Sequence, residues 1–295
     1  MKGATILETK KAYTSTKLYN DVDTLVKVFP FIEKETIGES VLGKPIIELS
    51  IGKGPKRVHM NGSFHANEWI TSAIMMKWLE EYVRGLTTQD ELFQLYTQTT
   101  LSFVPMVNPD GVDLVLNGLP ENDEARAKAL MINEGSLDFS QWKANICGID
   151  LNNQYPANWE IEKERKIPKS PAPRDYPGDA PLTEPEAITM ANLLKKGNFD
   201  RVLAFHTQGE EIYWGYMNKE PLEAEVIVKE FEKLSGYKAI QHIDSHAGFR
   251  DWFVNEWGRP GFTIELGNGV NPLPLTQFEE IYQKSKGIFF SGLYM

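Results

Sequence analysis

Short, continuously apolar runs alternate along this chain with longer stretches in which apolar residues recur at helical spacing. Residues 69–84, "WITSAIMMKWLEEYVR", show the second pattern and predict an amphipathic helix that Gly85 ends. The short runs predict buried strands, namely "RVHMNG", "LSFVPMVN", "DRVLAF" and "GFTIEL". Because strands alternate with helices, we expect an α/β fold whose largely parallel or mixed sheet is covered by helices.

Regions outside this alternation predict smaller elements. Residues from about 21 to 29 predict a helix, and a strand pair with a turn near Gly43 follows it. Thr183 and Glu186 have the spacing of a capping box, which predicts the start of a further helix. Residues 156–182 are rich in proline, and we expect an ordered irregular loop or lid there because strands resume after it.

The length of the chain, 295 residues, is enough to bury the core of one large α/β domain. The sequence contains no internal repeat and no low-complexity tract. We therefore expect a single domain over residues 1–295, in which residues 1–45 supply an N-terminal helix and a lead-in strand that pack on the rest.

Composition excludes several classes of protein. A formal net charge of −10 disfavours binding to nucleic acids or to anionic membranes. The single cysteine, Cys147, allows no disulfide within the chain. The N-terminus lacks the apolar segment of a signal peptide, and no apolar run approaches the length of a membrane span. These features predict a cytoplasmic protein without a nucleic-acid or membrane partner.

Polar side chains stand at or just after the carboxyl ends of several predicted strands. In sheets of this kind, functional sites gather at the carboxyl ends of the strands. We therefore expect these side chains to lie near one another: His65, Asn108, Asn152, His206 and Glu265.

His65 and Glu68 stand three residues apart where a strand gives way to a helix, which suits two ligands of one metal ion. The pair alone is weak evidence, because a glutamate in the first turn of a helix also complements the helix dipole. Catalytic zinc takes three protein ligands, often two histidines and a glutamate. His206 is the candidate for the third ligand, and the alternative is a buried histidine with satisfied hydrogen bonds.

Glu265 lies inside the apolar run "GFTIEL", where an unpaired carboxylate is costly. A carboxylate beside a water that zinc activates can act as general base and then as proton donor to the leaving amine. The alternative is a structural salt bridge to Arg250 or Arg259.

The stretches that carry these residues occur in the order found in the zinc carboxypeptidases, namely "HANEW", "VNPDG", "WKANICGIDLNNQYP", "FHTQGE", "GFRDWF" and "FTIELG". The chain therefore resembles the zinc carboxypeptidase family, peptidase family M14, over nearly its whole length. The resemblance implies a three-layer α/β/α sandwich with a mixed, roughly eight-stranded sheet. It also implies one zinc ion per chain, with His65, Glu68 and His206 as ligands and Glu265 as general base.

Several positions depart from the family pattern. In the family, an asparagine and an arginine hold the substrate's terminal carboxylate, whereas here Asn152 is kept and Asn153 replaces the arginine. A neutral amide cannot replace a bidentate arginine–carboxylate pair at equal strength, which disfavours ordinary C-terminal trimming. Other arginines of the family are absent where Asn67 and Cys147 stand. Lys143 is our candidate for the cation that stabilises the oxyanion, and the alternative is an ordinary solvated lysine.

Arg250 stands just before the "DW" pair, at the position that forms the base of the specificity pocket in the family. An arginine there predicts a substrate side chain that ends in a carboxylate. The alternatives are a surface arginine and an arginine paired with Glu265. A mobile tyrosine is typical of the family, but Ile243 stands near its place, with His242 and His246 as its neighbours.

Loss of the terminal clamp together with a cation at the pocket floor suits meso-diaminopimelate, whose side chain ends in its own amine and carboxylate. The chain resembles the bacterial γ-D-glutamyl-diaminopimelate endopeptidase I subgroup. This resemblance implies hydrolysis of the γ-D-glutamyl-meso-diaminopimelate bond of peptidoglycan stem peptides, in muropeptide processing or recycling. Arg250 would hold the side-chain carboxylate, and Asn152 and Asn153 would contact the α-carboxyl region. The chain has no room for wall-binding repeats.

Two other functions remain open from the sequence. One is a metallocarboxypeptidase that removes acidic or small C-terminal residues with an unrecognised cation as its clamp. The other is a zinc protein that binds muropeptides without cleaving them, which the missing arginines make conceivable. An intact Glu265 argues against the second, because a protein that only binds has no need of a buried base.

Overall fold

The structure, a computed structural model, describes residues 5–295 and contains one eight-stranded mixed sheet. The strands, in chain order, are β1 (Glu33–Glu39), β2 (Pro45–Gly52), β3 (Lys56–Gly62), β4 (Thr99–Val104), β5 (Arg201–His206), β6 (Glu211–Tyr213), β7 (Lys238–Ile240) and β8 (Gly261–Glu265). Across the sheet they follow the order β1-β2-β4-β3-β5-β8-β6-β7. The central strands β4, β3, β5 and β8 are parallel, so their carboxyl ends share one edge of the sheet.

Helices connect the strands and cover both faces of the sheet. They are α1 (Ser15–Val28), α2 (Ile70–Gly85), α3 (Asp90–Gln98), α4 (Pro109–Asn117), α5 (Asp123–Ile132), α6 (Trp159–Arg165), α7 (Pro185–Gly197), α8 (Leu222–Ser235), α9 (Phe249–Trp257) and α10 (Phe278–Tyr294). None of the helices formed by residues 5–295 is long and apolar enough to cross a membrane.

The apolar strands are buried on both faces, and β5 shows how one strand serves two cores. Leu203 and Phe205 pack on the face covered by α1, α2, α8 and α10. Val202 and Ala204 point the other way, into the core formed with α7 and α9. Because successive side chains of a strand point to opposite faces, a continuously apolar run fits only a sheet covered on both sides. The expected three-layer α/β/α sandwich is therefore confirmed.

Two predicted helix starts differ from the structure. Helix α1 begins at Ser15, before the predicted residue 21, because the Thr14 side chain accepts a hydrogen bond from the Lys17 N–H and caps the helix. The capping box predicted for α7 is wrong. Glu184 occupies the N-cap position without a side-chain cap, and the Glu186 carboxylate instead accepts a hydrogen bond from the distant N–H of Val41.

The proline-rich loop of residues 156–182 is ordered, as expected, and includes the short helix α6. The side-chain amide of Gln154 donates to the carbonyl oxygens of Pro177, at 2.6 Å, and Ala180, at 3.1 Å. The N–H of Asp150 donates to the carbonyl of Tyr176 at 2.8 Å. These bonds hold the loop against the edge of the sheet where the parallel strands end.

Glu186 makes a test of stability against pH possible. Burial raises the pKa of this carboxyl to about 8, while the ordinary value in an unfolded chain is 4.5. Because the pKa of Glu186 is higher in the folded protein than in the unfolded chain, the contribution of this carboxyl to the free energy of unfolding is fully present below about pH 4.5. It is lost as the pH rises through 8. We therefore expect Glu186→Gln to unfold at a higher temperature than the parent protein at pH 9. At least about 1 kcal/mol should be gained, since one unit of pKa difference is worth about 1.4 kcal/mol.

Thermal unfolding followed by circular dichroism at pH 5 and pH 9 measures this effect. The gain should be much smaller at pH 5, where the folded protein carries the protonated acid and the unfolded chain, with a pKa of 4.5, is only half a unit above its own midpoint. Glu124→Gln, on the exposed side of α5, is the matched control and should change neither midpoint by much. An equal shift of Glu186→Gln at both pH values would contradict the prediction.

Candidate metal centre and active site

Three polar side chains lie at the carboxyl ends of adjacent parallel strands. His206 ends β5 and is the register partner of Glu265, which ends β8. His65 follows β3, the neighbour of β5 on its other side, and precedes a 3-10 turn over Ala66–Glu68 that leads into α2. Because β3, β5 and β8 are parallel neighbours, residues far apart in sequence reach one point of the sheet edge.

His65, Glu68 and His206 form a buried cluster whose ligand atoms lie within 4.8 Å of one another. His65 Nδ1 lies 2.7 Å from one carboxylate oxygen of Glu68 and 3.2 Å from His206 Nδ1. His206 Nδ1 lies 3.0 Å from the other carboxylate oxygen. Two imidazole nitrogens and a carboxylate facing one centre are the donor set of a catalytic zinc site, which leaves a fourth position for water. The residues present therefore fit the predicted zinc ion.

The charges in the cluster favour a bound cation. Burial alone would raise the pKa of Glu68, but the two histidines outweigh it and lower that pKa to about 2. Burial lowers the pKa of His65, yet the Glu68 carboxylate more than offsets it and raises this pKa to about 9. A carboxylate that stays ionised in a buried site needs a positive partner. A metal ion can take that place when His65 releases its proton.

Asp150, which sequence reasoning did not single out, lies behind the metal cluster. Its Oδ1 is 3.2 Å from His65 Nε2, the ring nitrogen that points away from Glu68. A carboxylate on the far nitrogen of a metal-binding histidine fixes the tautomer and the ring orientation. The sequence offers one signal for this role of Asp150: it is an acidic residue two positions before Asn152, within the stretch "WKANICGIDLNNQYP".

Lys143 lies at the site, as expected, and is not an ordinary solvated lysine. Its ammonium is 2.9 Å from Asp150 and 3.2 Å from Asp175. Burial lowers the pKa of Lys143, but these two carboxylates outweigh burial and raise it well above the ordinary value. Lys143 therefore keeps a fixed positive charge beside the metal cluster.

Glu265 is placed as a base requires. Burial and the nearby Glu68 carboxylate raise its pKa to about 8. Within the described part of the chain, neither arginine considered as a salt-bridge partner pairs with it. Arg250 lies beside Asp251, and Arg259 donates to Asn198 and to the carbonyl of Phe199. A half-buried carboxylate that lines both cavities at the cluster, with a raised pKa, is suited to proton transfer.

Two cavities meet at the cluster, and four side chains line both of them. The first has a volume of about 230 Å³ and extends to Arg250, and the second has a volume of about 330 Å³ and extends to Arg174. The shared side chains are those of His65, Lys143, Tyr213 and Glu265. Such an arrangement leaves room on either side of one reacting bond, with the metal cluster, the cation and the base at the junction.

Arg250 is buried at the end of the first cavity rather than exposed on the surface. It lies in the first turn of α9, which approaches β8 closely, and a Cβ at Gly261 would come within 3.2 Å of the arginine side chain. One terminal nitrogen donates to the carbonyl of Gly215, and the other lies 3.1 Å from Asp251. Among residues 5–295, no partner accepts a hydrogen bond from its buried Nε.

Of the four asparagines considered from the sequence, three line a cavity at the metal cluster and one does not. Asn152 and Asn153 both line the first cavity, but the side-chain oxygen Oδ1 of Asn152 already accepts a hydrogen bond from the N–H of Phe249. Asn67 lines the second cavity. Asn108 does not enter the site, because its side chain caps α4 and donates to the carbonyls of Phe64 and Ala144.

The other candidates near the missing tyrosine stay at the rim. Ile243 lines the first cavity, His242 is exposed, and His246 bonds to the hydroxyl of Tyr216 at 3.0 Å. Cys147 packs at the edge of the core around α5 and takes no part in the site. Tyr213, on β6, enters the site instead, and no local pattern in the sequence marks it.

Comparison with known proteins identifies the family of the chain. A family model for zinc carboxypeptidases matches residues 18–286. The chain is 53% identical to γ-D-glutamyl-L-diamino acid endopeptidase 1 of Lysinibacillus sphaericus, over 96% of this chain and 72% of that protein. It is 50% identical to an uncharacterized protein of Bacillus subtilis strain 168, over 98% of this chain and 79% of the relative. The fold also matches the crystal structure of thrombin-activatable fibrinolysis inhibitor, with a TM-score of 0.76 and 17% sequence identity. The match covers 97% of this chain and 74% of that chain.

The family match spans most of the chain and includes every residue of the metal cluster as well as Glu265. It confirms the resemblance found in the sequence, and with it the expected zinc ion and the expected class of enzyme. By its sequence, its fold and the donor set at its sheet edge, this chain is a zinc-dependent hydrolase of the zinc carboxypeptidase family.

Proposed function

We propose that this enzyme hydrolyses the amide bond between the γ-carboxyl of D-glutamate and the amine of meso-diaminopimelate in peptidoglycan stem peptides. The observation that carries the proposal is Arg250, a buried arginine that lines the same cavity as Glu265. The 53% identical relative from Lysinibacillus sphaericus, named for γ-D-glutamyl-L-diamino acid cleavage, supports it.

The charges in the first cavity favour a substrate side chain that ends in a carboxylate. Arg250 lines this cavity, its Nε has no hydrogen-bond partner among residues 5–295, and its guanidinium is a group there that can bind a second carboxylate besides that of Asp251. Asn153, which stands where an arginine would hold a terminal carboxylate, also lines the cavity. The α-carboxyl of the residue after the cleaved bond is therefore not required to be free. Meso-diaminopimelate within a longer stem peptide meets both conditions.

At the junction of the two cavities, the metal ligands and Glu265 have different roles in hydrolysis of the amide bond. Zinc held by His65, Glu68 and His206 supplies Lewis-acid polarisation of the scissile carbonyl and lowers the pKa of a water beside it. Glu265 takes a proton from the attacking water and delivers it to the nitrogen of the departing diaminopimelate. Glu265 can serve both steps because it ends the strand next to the one that ends with His206, at the same edge of the sheet as the metal ligands.

Lys143 supplies the second positive charge that the reaction needs. Asp150 and Asp175 hold its ammonium in place before substrate binds, so little reorganisation accompanies the reaction. A fixed cation at the point where negative charge develops on the carbonyl oxygen stabilises the transition state. Asp150 contacts both Lys143 and His65, and it therefore sets the position of the cation relative to the metal cluster.

Mass spectrometry of a digest of tripeptide and tetrapeptide muropeptides tests the proposed function. The expected products are L-alanyl-D-glutamate on the muramyl side and a fragment that begins with diaminopimelate, and a chelator should abolish both. Release of single residues from the carboxyl ends of ordinary acidic peptides, with muropeptides left intact, would instead identify a carboxypeptidase. Calorimetric binding of muropeptides without any cleavage would identify a zinc-containing binding protein.

Arg250 should determine the preference for diaminopimelate over lysine. We expect the parent enzyme to cleave γ-D-glutamyl-diaminopimelate with a kcat/KM about 10- to 100-fold above that for the γ-D-glutamyl-lysine analogue. A hydrogen bond to a charged group contributes about 1.5–3 kcal/mol, which is the source of this range. Arg250→Lys cannot make the bidentate contact and should lose most of the preference, chiefly through kcat/KM for the diaminopimelate substrate.

Arg259→Lys is the matched control, because Arg259 bonds to Asn198 and Phe199 and lines neither of the two cavities at the cluster. It should leave the ratio of the two kcat/KM values unchanged. An unaltered preference in Arg250→Lys would show that the carboxylate of diaminopimelate binds elsewhere.

We further propose that the enzyme works in the cytoplasm on soluble muropeptides, as a single catalytic domain. The net charge of −10 supports this because it disfavours binding to the anionic surface of a membrane. Fractionation of the producing cells, with immunodetection of the enzyme, tests the location.

A further inference from the structure

Tyr213 is the one side chain shared by both cavities for which the proposed reaction has no role. The other three shared side chains are a metal ligand, the fixed cation Lys143 and the base Glu265. Tyr213 ends β6, which runs antiparallel to β8 with Tyr213 opposite Thr263 and Glu211 opposite Glu265. Its half-buried phenol therefore lies where the two parts of a cleaved substrate would separate.

The hydroxyl group of Tyr213 is held by a carboxylate. It donates a hydrogen bond to Glu211 at 2.7 Å, and Glu211 is the register partner of Glu265 across β6 and β8. Because the phenolic proton is used in this bond, the oxygen lone pairs of Tyr213 are left to accept a hydrogen bond. The group that Tyr213 presents to the cavities is therefore an acceptor, with a carboxylate behind it that increases its partial negative charge.

Amide cleavage requires an acceptor at this point. When water adds to the carbonyl, the amide nitrogen becomes pyramidal, and its new lone pair must point to the acid that protonates it. The hydrogen already on that nitrogen must then point elsewhere. An acceptor away from the acid fixes this orientation and stabilises the amine as it gains positive charge.

We propose that Tyr213, oriented by Glu211, accepts a hydrogen bond from the scissile N–H and then from the departing amine, so that the nitrogen lone pair faces Glu265. This inference rests on the proposed function only for the identity of the amide. Tyr213 would contact the substrate directly, while Glu211 is a positioning residue that acts through Tyr213. Glu265 remains the sole proton donor, and no additional reactant is needed.

Paired amide and ester substrates test the inference, because an ester has no N–H to donate. On the γ-D-glutamyl amide, we expect Tyr213→Phe to lower kcat by about 10- to 100-fold with little change in KM, as loss of a hydrogen bond to a developing charge predicts. On the corresponding depsipeptide, the same variant should retain most of the parent kcat. The zinc content of the variant should equal that of the parent protein.

Two further variants separate this role from a structural one. Glu211→Gln should show the same selective loss on the amide to a smaller degree, and should add little to Tyr213→Phe in the double variant. Tyr282→Phe is the matched control, because Tyr282 also donates to a glutamate, Glu81, but lines neither cavity at the cluster. It should leave the ratio of amide to ester turnover unchanged.

The outcomes distinguish this inference from the proposed function. Equal losses of Tyr213→Phe on amide and ester, or no loss on either, would overturn the role of Tyr213. If the parent enzyme cleaves neither γ-D-glutamyl substrate, the proposed function is wrong. The comparison is then made with an N-acylated dipeptide and its depsipeptide analogue, on which the selective loss should appear unchanged.

Discussion

Replacement of Glu265 by glutamine is expected to lower kcat about 1000-fold while zinc stays bound, within the range that general acid–base catalysis contributes. Glutamine has nearly the shape of glutamate but can neither take a proton from water nor pass one to the amine. The zinc ligands are His65, Glu68 and His206, and the replacement at residue 265 removes none of them. Burial and Glu68 hold the pKa of Glu265 near 8 in the protein without metal, so this carboxyl can exist in both proton states.

Steady-state kinetics together with the zinc content of each variant measures this effect. Glu48→Gln is the matched control, because Glu48 on β2 is a partly buried glutamate whose pKa burial also raises, and it lines neither cavity at the cluster. It should keep most of the parent turnover. Near-normal turnover of Glu265→Gln with zinc bound would remove Glu265 from the mechanism.

Loss of a metal ligand should lower activity at least as much as replacement of Glu265, because the protein then no longer retains zinc. We expect His206→Ala to lose its zinc on dialysis and to lower activity by at least about 1000-fold, because Lewis-acid polarisation supplies several kcal/mol and each 1.4 kcal/mol is tenfold in rate. His206 is 1% exposed and is held between Phe64 and Glu68, so no neighbouring side chain of the cluster can replace its nitrogen.

Thermal unfolding with and without zinc gives a readout that is independent of activity. A ligand that binds only the folded state raises the unfolding temperature, so zinc should stabilise the parent protein after chelator treatment. The same addition should leave His206→Ala unchanged. His242→Ala, which removes an exposed histidine outside the cluster, should behave like the parent protein. Zinc retained at full occupancy in His206→Ala would show that the metal is bound elsewhere.

Much of the fold follows from local patterns in the sequence. The apolar runs of β3, β5 and β8 are continuous because both faces of these strands are buried. The helical spacing of residues 70–85 is long enough to predict α2 within one residue of its observed start. Helix ends were less predictable. At the start of α7, the Glu186 carboxylate bonds to the N–H of Val41, which is distant in sequence, instead of capping the helix locally.

The sequence by itself predicted the metal ligands that the structure brings together, because His65, Glu68 and His206 stand at or near strand ends in stretches that resemble a known family. From the same resemblance it predicted Glu265 as the base and Arg250 as a substrate-binding residue, and these two roles stay predictions. These features are local, and each is visible within a few residues of chain.

Only the tertiary structure decided how the site is completed. Asp150 joins Lys143 to His65, and Asp175 adds the second partner of Lys143 from the proline-rich loop. Tyr213 reaches the junction of the two cavities because the short strand β6 runs antiparallel to β8. The contacts of Asp150 with His65 and of Lys143 with Asp175 join residues tens of positions apart, and no periodicity or motif encodes them. They depend on strand order and register, which the packing of the whole sheet fixes.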